Sequence, residues 1–145
     1  MVVENAVVLL TWTKSTNDFD GAFTSGCVIS KKNRKLLILS CAHQFESICE
    51  VHEEKIKVKV TFSKLVEKTG ELYAVDIEDD LSLVVVSVDE SFDEVVSFVK
   101  FNENPLMQGE YIWTIHNRGI MKMDRRGMEK VDILLHNSCT NGRVS

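Results

Sequence analysis

The chain has 145 residues, of which 44% are apolar and 27% are charged, and its formal net charge is -5. These values are ordinary for one globular domain with a core of its own, and they argue against a disordered or fibrous chain. The basic residues are scattered and no apolar run is long enough to cross a bilayer, so we expect neither nucleic acid nor a membrane as a partner.

Short apolar, β-branched segments recur along the chain, and polar or turn-rich stretches separate them. The clearest is 55–62, where Ile56, Val58, Val60 and Phe62 alternate with polar residues, a period that puts one face of a strand inward. We predict strands at 6–13, 26–30, 36–40, 55–62, 72–77, 81–88, 111–115 and 131–135. We expect turns at 17–21, 31–35, 68–70, 102–109 and 125–127. This spacing favours an all-β barrel or sandwich.

Residues 91–101 fit a helical period and an extended one equally well, so both assignments stay open. The natural division of the chain is 102–109, a polar connection that holds the only proline, Pro105, and ends at Gly109. Six predicted strands precede it and fewer follow. The second unit therefore has fewer strands than a complete barrel of the first kind.

Cysteine and histidine spacing gives no sign of a metal or cofactor site. The four cysteines are Cys27, Cys41, Cys49 and Cys139, and none of them has the paired spacing of a zinc site. Since no secretory segment is recognisable, we expect free thiols and an intracellular rather than a secreted protein.

Two segments carry the candidate chemistry. Residues 36–45 (LLILSCAHQF) place His43 just after a buried strand, where the small Ala42 allows a tight turn. Residues 79–86 (DDLSLVVV) place Asp80 at the start of another apolar strand. A carboxylate at that position is costly to bury unless it accepts hydrogen bonds, and a histidine Nδ1–H is such a donor.

With the upstream run 24–30 (TSGCVIS), these segments resemble the signature of trypsin-like serine peptidases, and most closely the Deg/HtrA branch. Residues 109–119 (GEYIWTIHNRG) are similar to the opening strand of that family's second barrel. The resemblance implies an all-β double barrel: a complete six-stranded barrel over 5–101 and an incomplete one over 109–145.

The same resemblance implies hydrolysis of internal peptide bonds in a polypeptide substrate, without a cofactor. His43 would be the general base and then the acid, Asp80 would orient it, and Ser145 would be the nucleophile. The amides of Arg143 and Ser145 would form the oxyanion hole. The order histidine, aspartate, serine is that of the chymotrypsin fold.

Three departures from the family pattern, and the family's later strands, lead us to expect weak activity or none from the chain as given. Arg143 stands where the family has glycine, the glycine expected after Ser145 is not in the sequence given, and His116 and Arg118 replace a glycine and a proline. The strands that follow the serine in the family, and close its second barrel, are likewise not in the sequence given. The alternative is a non-catalytic, protease-like module that binds protein segments. A third hypothesis, a small β-barrel unrelated to peptidases, predicts that His43 and Asp80 lie far apart. Substrate preference and oligomeric state stay open.

Overall fold

The computed structural model describes residues 3–13, 21–45, 56–62, 66–123 and 129–143. Within these ranges it has eight strands, two short 3-10 segments and one α-helix. The strands are β1 Val7–Thr13, β2 Gly21–Lys32, β3 Lys35–Ser40, β4 Lys57–Thr61, β5 Glu67–Asp76, β6 Leu81–Ser87, β7 Tyr111–Met123 and β8 Glu129–Arg143. The 3-10 segments are Val3–Ala6 and His43–Phe45, and the helix is α1, Glu90–Val95.

Six of these strands form a closed antiparallel barrel. Their order is β1-β2-β3-β6-β5-β4, and β4 returns to pair with β1. Leu10, for example, lies opposite Thr24 on one side and Val60 on the other. Closure leaves none of the six strands with a free edge. The prediction of an all-β chain with a six-stranded barrel is confirmed.

Alternating side chains fill the barrel interior. In β3, Leu36 and Ile38 are fully buried while Lys35 is exposed. In β4, Val58 and Val60 are buried while Lys57 and Lys59 are exposed. The period of two in the sequence therefore marks the inner face, as expected for a sheet that curls around its own core.

Helix α1 and the segment after it pack against the barrel core. Asp89 caps the helix by accepting the Phe92 N–H at 2.8 Å. The Phe92 ring meets Phe62 edge-on with ring centroids 4.9 Å apart. After the helix, the Val99 N–H donates to the Val28 carbonyl at 2.8 Å. The ambiguous stretch 91–101 is thus helical in its first part and extended afterwards.

The strand boundaries differ from the sequence expectation in three regions. β2, Gly21–Lys32, extends beyond both ends of the predicted strand 26–30, and the turn expected at 17–21 lies outside the described residues except for Gly21, which is in β2. The turn predicted at 68–70 is wrong, because β5 begins at Glu67 and Gly70 lies opposite Val58 within the ladder. Strands β7 and β8 have 13 and 15 residues and form a two-stranded sheet. They are longer than the predicted 111–115 and 131–135. The turn expected at 125–127 lies outside the described residues, and a second barrel stays a prediction.

Candidate functional site

His43 is held at the rim of the barrel by buried neighbours on both sides. It begins the short 3-10 segment that follows β3, directly after the fully buried Ala42. Two residues later, Phe45 is also fully buried and stacks on Trp12 with ring centroids 4.2 Å apart. Because Ala42 and Phe45 are fixed in the core, the backbone at His43 is fixed too, while its side chain stays 58% exposed.

Asp80 ends the turn that joins β5 to β6. The turn is closed by two local bonds: Asp76 accepts the Asp79 N–H at 3.1 Å, and the Asp80 N–H donates to the Ile77 carbonyl at 3.3 Å. Asp80 itself has a φ of 54°, in the left-handed region that few residues other than glycine, asparagine and aspartate enter. A residue held in that region is a reason to look for a functional role.

The Asp80 carboxylate meets the His43 segment through both of its oxygens. Oδ1 accepts the backbone N–H groups of Ala42 at 2.8 Å and of His43 at 2.7 Å. His43 Nδ1 lies 2.9 Å from Oδ2 and 3.0 Å from Oδ1. The His43 amide, followed by the His43 ring and the Ala42 amide, holds the pKa of Asp80 below its ordinary value, since all three contacts favour the ionised carboxylate.

The ring of His43 has a second contact, with its neighbour in sequence, Gln44. Gln44 Nε2 lies 3.2 Å from His43 Nε2. In the Nδ1–H tautomer, the ring donates from Nδ1 to Asp80 and Nε2 accepts a hydrogen bond from the Gln44 carboxamide nitrogen, so both contacts are satisfied. This is the tautomer that a general base needs, with the accepting nitrogen directed away from the carboxylate.

Hydrogen bonds tie together the strand ends beneath the site. The buried Ser82 hydroxyl donates to the Cys41 carbonyl at 2.8 Å, and Ser40 donates to the Ser25 carbonyl at 2.7 Å. These bonds join β6, β3 and β2 next to the turn that presents His43. Hydrogen bonds between the strands therefore help to fix the distance between His43 and Asp80, in addition to the contact between the two exposed side chains.

Of the cysteines, Cys27 and Cys41 are free thiols in the structure. Burial raises the pKa of the Cys27 thiol, which disfavours its reactive thiolate. The Cys41 Sγ instead lies 3.3 Å from the Thr24 hydroxyl. Cys49 and the side chain of Cys139 lie outside the description.

The structure therefore brings together two of the predicted site residues. The expectation that His43 and Asp80 lie within hydrogen-bond reach is confirmed, in contrast to the unrelated-barrel hypothesis, which separates them. Arg143 is the last residue of β8, opposite Tyr111, and Ser145 lies outside the described residues. The nucleophile and the oxyanion hole stay predictions, as do the catalytic roles of His43 and Asp80.

Sequence reasoning missed Gln44 and the left-handed backbone of Asp80. For Asp80 a signal existed, because two aspartates at a turn before an apolar strand are typical of positions with positive φ. For Gln44 the sequence offered only its place beside a candidate histidine.

Comparison with known proteins identifies no family for this chain. No protein-family model matches it, and no curated protein matches its sequence. Within the described ranges, no helix has the length and apolar character needed to cross a membrane, and no three His, Cys, Asp or Glu side chains are grouped as metal ligands.

Proposed function

We propose that this protein is a serine endopeptidase of the trypsin-like, Deg/HtrA kind, with His43, Asp80 and Ser145 as its catalytic triad. The observation that carries the proposal is the pair formed by His43 Nδ1 and the Asp80 carboxylate at 2.9 Å, at the rim of a closed six-stranded barrel. Residues 109–145 would supply part of a second barrel and, with it, the nucleophile.

In this mechanism, the contact between His43 and Asp80 serves both to orient the imidazole ring and to stabilise its protonated form. Asp80 keeps the ring proton on Nδ1, so that Nε2 can take the hydroxyl proton of Ser145 as its oxygen attacks the peptide carbonyl. The imidazolium that forms is stabilised by the carboxylate at 2.9 Å. It then gives the proton on Nε2 to the leaving amine, and a water molecule releases the acyl group by the same steps. The amides of Arg143 and Ser145 would stabilise the oxyanion.

The lowered pKa of Asp80 fits this role, because the carboxylate must stay ionised while the imidazole gains its proton. Two backbone N–H groups already hold it ionised before any substrate arrives. An aspartate held in this way orients its partner with little reorganisation during the reaction.

The proposal is tested by labelling with a fluorophosphonate serine probe. The chain is compared with a form continued by any residues encoded after Ser145, and each form with its Ser145→Ala and His43→Ala variants. Labelling that requires both residues in either form supports the proposal. Labelling that is absent from both forms, while their barrels are folded, contradicts it.

A non-catalytic module that binds protein segments is the second candidate, and the exposed apolar side chains beside Asp80 favour it. Ile77 and Leu81 flank the turn and are 47% and 46% exposed, so apolar surface is available to a peptide beside the pair. This candidate predicts peptide binding that survives His43→Ala, without labelling by the probe.

A further inference from the structure

Gln44 lies beside the nitrogen of the His43 ring that does not contact Asp80. Its Nε2 lies 3.2 Å from His43 Nε2, while the other ring nitrogen is taken by Asp80. We propose that Gln44 is a positioning residue, which holds His43 in the Nδ1–H tautomer and occupies the Nε2 lone pair until a hydroxyl group displaces it.

The backbone of Gln44 cannot drift away from the ring, because the residue lies inside the anchored 3-10 segment. Phe45 donates its N–H to the Ala42 carbonyl at 2.8 Å, and both of these residues are fully buried. The Gln44 side chain is itself half-buried. Only its own rotamer change is needed to move the carboxamide away, and such changes are fast for a side chain near the surface.

The hydrogen bond from Gln44 to His43 Nε2 can be replaced only by another hydrogen-bond donor. An imidazole lone pair accepts one hydrogen bond along its axis, so the Gln44 N–H and a second donor cannot both use Nε2. In acyl transfer, the hydroxyl group of the nucleophile donates a hydrogen bond to the general base. Before a hydroxyl group arrives, the Gln44 carboxamide therefore occupies the position of the hydrogen-bond donor at His43 Nε2. The identity of the displacing hydroxyl rests on the proposed function, whereas the contact and its effect on the tautomer do not.

The direct test uses the chain labelled with ¹⁵N in its histidines. In the unaltered chain we expect the His43 signals of the Nδ1–H tautomer. Gln44→Glu keeps the size of the side chain but presents only acceptors at neutral pH, so we expect the ¹⁵N shift of His43 Nε2 to move to that of a protonated nitrogen. Gln108→Glu, which makes the same change at an exposed residue of the 102–109 connection, is expected to leave the His43 shifts where they are.

A chemical test follows the access to the lone pair. Diethyl pyrocarbonate modifies unprotonated imidazole nitrogens, and we expect Gln44→Ala to speed modification of His43 by about two- to tenfold, the range that corresponds to losing one hydrogen bond. Gln108→Ala serves as the control, and amide spectra report whether each variant keeps the fold. Rates and Nε2 shifts that are the same with and without Gln44 would overturn the proposal.

The result stays separable from the proposed function. If the positioning role is right and the peptidase proposal wrong, His43 reactivity and shifts respond to Gln44 although no serine is labelled by the fluorophosphonate probe. If serine labelling requires His43, but the ¹⁵N shifts and modification rate of His43 are the same in every Gln44 variant, the peptidase proposal stands and the positioning role of Gln44 is wrong.

Discussion

At the scale of single residues, Asp80 determines the geometry of the site, because it binds two backbone amides and one ring nitrogen with a single carboxylate. In Asp80→Asn one of the two oxygens becomes a donor. If the remaining oxygen keeps the backbone amides, the new NH₂ group faces the Nδ1–H of His43, and two donors cannot bond. We expect loss of the Nδ1–H tautomer in ¹⁵N spectra, with the fold retained because asparagine also tolerates positive φ.

If the peptidase proposal holds, fluorophosphonate labelling of Asp80→Asn should fall by about 10⁴, the effect of this change in a Ser-His-Asp triad. Asp79→Asn is the matched control. It removes the same charge from the same turn, where the backbone amide of Asp79 and not its carboxylate makes the turn contact. An Asp80→Asn chain with an unchanged tautomer would show that the carboxylate does not orient His43.

Acid should weaken the fold through Asp80 and Asp89. Both carboxylates have lowered pKa values, Asp80 through the His43 amide first and Asp89 through the Phe92 amide first. A group whose pKa is lower in the folded than in the unfolded chain stabilises the fold above its unfolded pKa, about 3.9 for aspartate, and this contribution is lost as pH falls through the folded value.

Urea unfolding measured from pH 6 to pH 3 should therefore show a stability that declines below about pH 4. The decline should be smaller in Asp80→Asn and in Asp89→Asn, each of which removes one of the titrating groups, than in Asp79→Asn. An equal decline in all three variants would mean that other carboxylates cause the acid sensitivity.

At the scale of elements, Gly70 shows where packing overrode a local sequence signal. Glycine in a polar stretch is typical of a turn, yet Gly70 lies inside β5. Glycine is required there because atoms of β6 occupy the place where a Cβ would lie. An added Cβ would meet Val86 Cγ2 at 2.8 Å and the Val85 carbonyl oxygen at 2.9 Å. We expect Gly70→Ala to lower the free energy of unfolding by about 1–3 kcal/mol.

Thr69→Ala is the control for Gly70→Ala, since Thr69 is exposed on the same strand, and we expect it to change stability by no more than about 0.5 kcal/mol. Chemical denaturation measures both variants. A Gly70→Ala chain as stable as Thr69→Ala would show that the barrel can expand at this point.

A substitution in the hairpin between β2 and β3 is expected to raise the stability of the protein, in contrast to Gly70→Ala. Asn33 and Arg34 connect the strands with φ values of 53° and 59°, the pattern of a type I′ turn, in which glycine is favoured at the second position. Replacing Arg34 by glycine removes the strain of a left-handed arginine but also its exposed 3.4 Å ion pair with Glu90.

Because exposed ion pairs contribute little, we expect Arg34→Gly to raise the free energy of unfolding by about 0.5–1 kcal/mol. Glu90→Gln removes the ion pair together with a negative charge in the first turn of α1, and therefore gives an upper limit for the contribution of the ion pair. A loss of stability in Arg34→Gly larger than that in Glu90→Gln would contradict the strain explanation.

The sequence was sufficient for features that depend on local patterns. Alternation in 55–62 located a barrel strand, and the motifs around His43 and Asp80 brought together two residues 37 positions apart. Features set by tertiary packing were not predictable. The early start of β5 depends on what packs over Gly70, and the contact of Gln44 depends on a side-chain rotamer that no periodicity encodes.

At the scale of the whole molecule, closure joins the first six strands into one hydrogen-bonded barrel, and β7 lies against β1 and β2. β1 pairs with β2 on one side and with β4 on the other. The described part of the chain after Gly109 contributes a separate two-stranded sheet, β7–β8. The six-stranded barrel therefore does not depend on β7 or β8 for its hydrogen-bonded closure.

We accordingly expect a fragment of residues 1–101 to fold without the rest of the chain and to unfold cooperatively in urea, with a slope of about 1–3 kcal/mol per molar. The matched control is a fragment of residues 1–89, which keeps all six strands but lacks α1 and the extended segment. Phe92 and Val96 pack against the core from these two pieces, so 1–89 should be less stable than 1–101 by about 2–5 kcal/mol, the burial of these two side chains. If 1–101 is unfolded, the barrel depends on residues after 101 and the division at 102–109 is wrong. If 1–101 folds but is no more stable than 1–89, α1 and the segment after it do not stabilise the barrel.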